Sequence, residues 1–176
     1  RVRLERGDEL DADLVVMGVG AEPNTGYLED TGLLEEGAVD VNVFLETKID
    51  GIYAVGDIAR VRYDGELQRV EHWVEAQRHG QEVARSIAGR GEGLQYEPFF
   101  WTMQFETPFA YIGYAPEYEE IRYTGDVENG SFLAGYFRGG ALAAVASIGK
   151  SDDVIRYGKL LEAGRRISPE EFEEGL

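Results

Sequence analysis

The chain has 176 residues, 43% of them hydrophobic and 11% aromatic, which is enough for one globular domain or slightly more. The absence of cysteine excludes disulfides, thiolate metal sites and cysteine redox pairs within these residues, and two histidines argue against a histidine-rich metal site. The formal net charge of −17 opposes nucleic-acid binding, which requires clustered positive charge.

No run of apolar residues approaches the roughly 18 to 20 that cross a bilayer. The first residue is Arg1, and no signal-peptide pattern follows it. We therefore expect a cytoplasmic protein without a membrane span, and a chain that is one piece of a longer polypeptide. The acidic surface would keep the protein in solution, attract a basic partner, or serve a salt-loving source, and we favour the last explanation.

The first elements are short. Residues 1–4 alternate as an edge strand does and are followed by a turn at Gly7 and Asp8. Residues 14–17 form a continuous apolar run that predicts a buried strand. The glycines at 18 and 20 resemble the start of a dinucleotide-binding loop, but the third glycine is missing and Pro23 interrupts the pattern. This segment therefore predicts a loop that crosses between domains.

Residues 27–34 predict a short helical turn and residues 37–43 a strand. Next, a short apolar strand at residues 52–55 runs into Gly56 and Asp57. Gly56 lacks a Cβ, so a ligand can approach the backbone closely. Asp57 would lie at the carboxyl end of a strand, where open α/β sheets bind ligands, and its carboxylate can accept hydrogen bonds from sugar-like hydroxyls. The alternative is an ordinary Gly-Asp turn after a buried strand.

A hairpin turn is predicted at Asp64 and Gly65. A helix is predicted over residues 71–88, because residues at helical spacing occur there: Val74, Gln77, Gln81, Ala84 and Ile87. The glycine-rich segment 89–98 indicates a boundary, so we divide the chain into residues 1–93 and 94–176. The second part predicts an antiparallel sheet of about four strands with terminal helices. Its strands are expected at 111–114, 120–123, 131–138 and 141–148, with hairpin turns at Asn129–Gly130 and Gly139–Gly140, and its helices at 151–163, capped by Ser151 or Asp152, and from Ser168.

Residues 47–57, TKIDGIYAVGD, together with RVEHW at 69–73, resemble the second flavin-binding motif of flavoproteins that contain two dinucleotide-binding domains. The sequence DLVVMGVGAEPNT resembles the end of the NAD domain inserted in those proteins. The segments FFWTMQF, AYIGYA, RYTGD, AVASI and KLLEAGRRISPEEFE are similar to the closing domain of one branch of the FAD-dependent pyridine nucleotide-disulfide oxidoreductase superfamily. That branch holds the ferredoxin reductases and the apoptosis-inducing-factor-like proteins.

The resemblance implies an α/β fragment of a two-dinucleotide-binding-domain flavoprotein, followed by an α+β closing domain with an antiparallel sheet. HW, WTMQF and VAS are most similar to the apoptosis-inducing-factor-like-3 subgroup, whose members often carry an N-terminal Rieske-type domain. Such a domain requires Cys and His ligands that do not occur in these residues.

The resemblance also implies a cofactor site. Asp57 would bind the ribityl chain of FAD, with Gly56 permitting close approach; a helix N-cap is the alternative role for Asp57. Glu71, His72 and Trp73 would begin a helix whose positive N-terminus points at the flavin pyrimidine edge, with Trp73 stacking on a cofactor ring. For His72 and Trp73 the alternative is a place in the core at the start of the helix, and His72 as a proton donor is a weaker hypothesis.

Trp101 is the closing domain's candidate for a flavin contact, although a core position is the favoured alternative for an aromatic in an FFW cluster. Carboxylate pairs such as Glu170 and Glu171 are typical of a solvated helix face. We predict no catalytic side chain and no metal ligand.

The resemblance implies that the parent protein transfers a hydride from NAD(P)H to FAD and passes electrons to a ferredoxin-like or Rieske-type acceptor. The chain alone lacks both glycine-rich dinucleotide motifs, so we expect weak FAD binding and no turnover from it. The alternative is a non-catalytic module for dimerisation or protein docking. A homodimer, the choice between NADH and NADPH, and the identity of the acceptor stay open.

Overall fold

The computed structural model describes residues 1–63 and 66–175 of the chain. The turn predicted at Asp64 and Gly65 lies outside these residues. The chain begins with β1 (Val2–Arg3) and β2 (Glu9–Leu10), which pair antiparallel across a turn closed by the hydrogen bond from Leu4 N to Asp8 O, 2.8 Å long. The predicted edge strand and its turn are therefore confirmed.

The buried strand predicted at residues 14–17 is wrong. These residues form no regular structure, and the side chains of Leu14 and Val16 are 80% and 85% exposed. A strand forms only where a neighbouring backbone satisfies its N–H and C=O groups. In the part of the chain that the structure describes, no strand lies beside this segment, so the apolar run is left without a partner.

The first main sheet has four strands in the order β3 (Leu34–Glu35), β4 (Ala38–Val41), β5 (Ala59–Tyr63) and β6 (Glu66–Gln68). Strands β4 and β5 pair in parallel and the other neighbours pair antiparallel, which confirms the strand predicted in residues 37–43. A core of Val39, Val41, Leu45, Ala54 and Val61 lies against this sheet.

The strand predicted at residues 52–55 is also wrong. Strand β4 already has β3 and β5 on its two sides, so no position beside it is left. The segment instead folds back on the loop after β4, with one isolated bridge between Glu46 and Tyr53 and a hydrogen bond from Ala54 N to Leu45 O. Asp57 consequently lies in the 3₁₀ turn Gly56–Ile58, directly before β5, rather than at the carboxyl end of a strand.

Helix α1 (Trp73–Ile87) confirms the predicted helix but begins two residues later, so that Glu71 and His72 precede it. Most of the residues at helical spacing that indicated the helix do not form its buried face: Gln77, Gln81, Ala84 and Ile87 are exposed, and Val74 is half-buried. The buried side chains of α1 are Glu75, His79 and Glu82. A polar face can be buried here because loop residues supply its hydrogen bonds, as described below.

The closing sheet is antiparallel and contains five strands, one more than predicted: β7 (Phe99–Gln104), β8 (Thr107–Gly113), β9 (Glu120–Asp126), β10 (Ser131–Arg138) and β11 (Ala141–Ile148). They lie in the order β7-β8-β11-β10-β9. The extra strand is β7, formed by the aromatic FFWTMQ segment. Both hairpins predicted for this sheet are confirmed. Asn129 and Gly130, with φ 67° at Gly130, lie in the turn between β9 and β10. Gly139 and Gly140, with φ of 58° and 69°, connect β10 to β11.

Helices α2 (Ser151–Glu162) and α3 (Pro169–Glu174) pack on the closing sheet, and Val154, Tyr157 and Phe172 enter its core beside Phe137. Ser168 forms a capping box with Glu171, as its position before Pro169 predicted. The cap predicted for α2 is wrong: the N-cap is Lys150, and Ser151 and Asp152 lie inside the first turn. There the Asp152 carboxylate interacts favourably with the positive end of the helix dipole but does not cap the helix.

Candidate functional site

The turn at Gly56 and Asp57 packs directly on α1. Gly56 is buried with φ 71°, and a Cβ added to it would lie 3.3 Å from the Cβ of Ala76. Its N–H donates to Nδ1 of His79 over 3.2 Å. Only glycine adopts this left-handed backbone conformation easily and also allows such a close approach to a helix. Packing against α1 therefore explains why position 56 is glycine.

The Asp57 side chain is exposed, and among the described residues no group donates to or pairs with its carboxylate. The N-cap of its 3₁₀ turn is Val55, and strand β5 follows rather than an α-helix, so the alternative role as a helix N-cap is wrong. Asp57 is therefore a fixed but unengaged acceptor at the surface. An unpaired carboxylate of this kind can accept hydrogen bonds from a hydroxyl-rich ligand.

Arg69 connects this turn with the segment before α1. Its guanidinium donates to the backbone oxygen of Asp57 over 3.4 Å and pairs with the Glu71 carboxylate over 2.6 Å. The sequence motif RVEHW contained Arg69, but its role was missed because nothing local indicates that its side chain reaches back twelve residues. Through Arg69, the structure brings Asp57 and Glu71 to one place.

His72 is the N-cap of α1, since its Nδ1 accepts a hydrogen bond from Val74 N over 3.2 Å. The neutral ring then carries its proton on Nε2. Its ring centroid lies 5.8 Å from Trp73 and 5.6 Å from Phe100. Trp73 is 61% exposed, so the alternative of a core residue at the helix start is wrong for Trp73 in this chain.

A cleft of about 420 Å³ separates the segment before α1 from the closing sheet. Phe100 and Tyr111 stack in it with centroids 5.2 Å apart, and burial raises the pKa of Tyr111 to about 12. The cleft therefore joins two of the predicted site residues to an aromatic wall. Its lining includes Arg69, Glu71, His72, Pro98, Phe100, Tyr111 and Tyr114.

Trp101 does not share this wall. Side chains alternate along a strand, so Trp101 lies on the opposite face of β7 from Phe100. It is 49% exposed, because β7 is an edge strand of the closing sheet, and the core position favoured for it is wrong. The structure thus separates Trp101 from Glu71 and His72.

The buried side of α1 carries three ionisable groups that sequence reasoning missed, Glu75, His79 and Glu82, and the first two are neighbours. Glu75, 2% exposed, accepts from Tyr96 Oη over 3.0 Å and from Phe99 N over 3.4 Å. Burial raises the pKa of Glu75, and those hydrogen bonds oppose the shift. His79 lies one turn further on, with Nε2 3.9 Å from Glu75 Oε2, and burial lowers its pKa to about 4. The available signal was the i, i+4 spacing of Glu75 and His79 on one helix face.

The described residues contain neither a cluster of metal-ligating side chains nor a helix that could span a membrane. No group of three or more His, Cys, Asp or Glu among residues 1–63 and 66–175 could hold a metal ion. Over the same residues, every helix is too short or too polar to span a bilayer.

Two family profiles match the chain. Residues 1–80 match "Pyridine nucleotide-disulphide oxidoreductase" and residues 99–174 match "Reductase C-terminal". Human apoptosis-inducing factor 3 is 30% identical over 98% of this chain and 29% of its own length. The ferredoxin–NAD(P)(+) reductase fdr of a Sphingomonas species is 29% identical over 96% of this chain and 42% of its own length.

A solved structure is similar over nearly the whole chain. The ferredoxin reductase for the CYP199A2 system from Rhodopseudomonas palustris has a TM-score of 0.86 and 29% identity, covering 96% of this chain and 42% of that protein. The present chain thus spans less than half the length of the relatives it matches. This confirms the predicted fold class, an α/β flavoprotein fragment followed by an antiparallel α+β closing domain. The chain belongs to the FAD-dependent pyridine nucleotide-disulphide oxidoreductase family, in its ferredoxin reductase-like branch, whose cofactors are FAD and NAD(P)H.

Proposed function

We propose that the chain is the C-terminal part of an NAD(P)H oxidoreductase that passes electrons through FAD to a ferredoxin-like or Rieske-type acceptor. The names of its relatives support electron transfer to a small iron–sulfur protein, because reductases of ferredoxins are among them. Those names give no support to a non-catalytic docking module. When bound, FAD supplies the hydride acceptor and releases electrons to the partner.

The observation that carries the proposal is the free carboxylate of Asp57 on a turn of fixed conformation. The hydroxyls of a ribityl chain donate hydrogen bonds, and a charged acceptor makes these bonds roughly twice as strong as neutral ones. Gly56 is buried, and its missing Cβ leaves room for Ala76 of α1, so we propose that Gly56 serves the cofactor by holding the turn that presents Asp57. The residues present therefore fit the polar chain of FAD.

The start of α1 fits the ring system. Its first backbone N–H groups and helix dipole place about half a positive charge at the N-terminus, which favours the negative charge that a reduced flavin carries on its pyrimidine side. Trp73, 61% exposed at this position, offers a ring face for stacking. We assign Glu71 and His72 to the same cofactor edge. Trp101 lies on the opposite face of β7 from the cleft, so the aromatic contact that we propose for it would be separate from theirs.

The remaining proposals concern the whole protein. Residues 14–17 would be covered by the rest of the inserted NAD domain and the outward face of α1 by the rest of the FAD domain, which accounts for their exposed apolar side chains in this chain. We keep the domain boundary at residues 93/94, a cytoplasmic location and homodimer formation as proposals. The chain alone should bind FAD weakly and should not turn over.

The proposal is tested on the full-length protein by its flavin absorption at about 450 nm and by the affinity of the apoprotein for added FAD. Asp57→Ala should lower FAD occupancy strongly, whereas Asp50→Ala, an exposed acidic residue of the same loop, should leave it unchanged. A full-length protein that is colourless and cannot be reconstituted with FAD would overturn the function. Normal occupancy in Asp57→Ala would overturn only the role of that carboxylate.

A further inference from the structure

His79 is buried beneath the candidate cofactor turn, yet it contacts no part of the surface where a ligand would lie. It is 4% exposed and stands on the inner face of α1. Its Nδ1 accepts the buried N–H of Gly56 over 3.2 Å, across 23 residues of sequence. Within residues 1–63 and 66–175, this ring nitrogen is the only acceptor for that N–H.

The turn meets α1 at two points on one helix face. Ala76 and His79 are three residues apart, so they lie one above the other on the helix. Ala76 limits the approach of Gly56, whose added Cβ would lie 3.3 Å from the Ala76 Cβ, and His79 fixes the direction of the Gly56 N–H. The contact fixes the position of the Gly56 Cα, and the hydrogen bond fixes the orientation of the Val55–Gly56 peptide, from which the turn that carries Asp57 starts.

The hydrogen bond also defines the state of the imidazole. Nδ1 accepts only when it carries no proton, so the ring is neutral with its proton on Nε2. That N–H points to the side where the Glu75 carboxylate lies, 3.9 Å away. Glu75 in turn accepts from Tyr96 and from the first backbone N–H of β7. The Gly56 turn is thereby connected through His79 and Glu75 to the start of the closing sheet.

We infer that His79 is a positioning residue for the cofactor: its Nδ1 holds the Gly56 peptide so that the Asp57 carboxylate meets the ribityl hydroxyls of FAD. This inference rests on the proposed function. An unsatisfied Gly56 N–H would rotate toward water, and this rotation of the Val55–Gly56 peptide would change the start of the 3₁₀ turn Gly56–Ile58, which carries Asp57. A histidine outside the cofactor's reach thus determines how well the cofactor is held.

The test uses the full-length protein and three variants. Asn places its Oδ1 acceptor at the same distance from the backbone as Nδ1, Gln places its acceptor one bond further away, and Leu has none. We expect His79→Leu and His79→Gln to weaken FAD binding to the apoprotein about tenfold, the effect of one lost hydrogen bond. His79→Asn should remain within about threefold of wild type, because it restores the bond.

Two further readouts separate positioning from general stability. Hydrogen exchange of the peptide that contains Gly56 should be faster in His79→Leu and His79→Gln but not in His79→Asn. The visible circular dichroism of bound FAD should likewise change in His79→Leu and His79→Gln but not in His79→Asn. Equal FAD affinity in all four proteins, or Asn no better than Gln, would overturn the inference. If wild type binds no FAD, the proposed function fails; the exchange of Gly56 then still decides whether His79 holds the turn.

Discussion

The hydroxyl of Tyr96 donates to the Glu75 carboxylate over 3.0 Å, and this bond attaches the loop before the closing sheet to the buried face of α1. The same carboxylate accepts the backbone N–H of Phe99. A buried carboxylate on a helix face is stabilising here only because both donors come to it from another part of the fold.

Replacement of Glu75 should therefore destabilise the chain. Glu75→Leu removes the carboxylate that accepts from the Tyr96 hydroxyl and the Phe99 N–H in the folded chain, and the loss of these hydrogen bonds costs about 1 to 3 kcal/mol. Glu75→Gln keeps an acceptor and should lose less. Chemical denaturation measures the difference, with the exposed Glu128→Gln as the control. Equal stability of Glu75→Leu and wild type would contradict the assigned role.

His79 should make the stability of the fold depend on pH. Its pKa is lowered from 6.5 to about 4, so between these values the unfolded chain binds a proton that the folded chain does not. The stability contributed by the neutral ring is complete above pH 6.5 and is lost as the pH falls to about 4, by up to roughly 3 kcal/mol.

Glu75 acts in the opposite direction. Its pKa is raised above the usual 4.5, so its contribution falls as the pH rises from 4.5 to the raised value. The comparison of wild type with His79→Asn isolates the histidine, because Glu75 is present in both. Free energies of unfolding at several pH values should show a steeper rise for wild type between about pH 4 and 6.5. Parallel curves would contradict the lowered pKa.

Two glycines should respond to alanine in opposite ways. Gly113 on β8 has φ 95°, and an added Cβ would lie 2.3 Å from the backbone oxygen of Ala143, so Gly113→Ala should cost more than about 2 kcal/mol. Gly80 lies inside α1 with nothing within 4 Å of an added Cβ, so Gly80→Ala should stabilise by about 0.5 to 1 kcal/mol. Thermal unfolding of the chain checks both, and the same sign for the two variants would be inconsistent with these packing distances.

Arg69 should affect FAD binding without touching the ring system. Arg69→Ala removes the donor to the Asp57 backbone and the partner of Glu71, so FAD affinity of the full-length protein should fall several-fold, by about 1 kcal/mol. Arg85→Ala, at the far end of α1 with a side chain that is 58% exposed, is the matched control. Fluorescence titration with FAD measures both, and equal affinities would remove Arg69 from the site.

Salt should stabilise this chain. With a net charge of −17, repulsion between carboxylates opposes the compact state, and ions screen that repulsion. The unfolding temperature should rise between about 0.05 M and about 1 M KCl, where the Debye length shortens to about 3 Å. A salt-loving source would add strong loss of folding on dialysis into low salt. Indifference to salt would remove that hypothesis.

The closing domain was predictable because its signals are local. The two glycines at 139 and 140 adopt the positive φ that a tight hairpin requires, and Ser168 caps α3 with its own neighbours. The Gly-Asp motif was recognisable for a similar reason, because residues 56 and 57 are adjacent in sequence. Even so, the local pattern wrongly predicted a strand directly before these two residues. The position beside β4 is occupied by β5, which lies further along the chain.

By itself, the sequence determined the family, the helices, the hairpins and the residue types at the candidate site. Only the tertiary structure decided which side of α1 is buried. The spacing of Gln77, Gln81, Ala84 and Ile87 contributed to the prediction of the helix, but these residues are exposed. Glu75, His79 and Glu82 face inward instead. Their hydrogen-bond partners are Gly56, Tyr96 and the backbone at 92–93 and 99. The periodicity of a sequence shows which face of a helix is apolar. Whether a polar face is buried depends on hydrogen-bond partners that are distant in sequence and come together only in the folded chain.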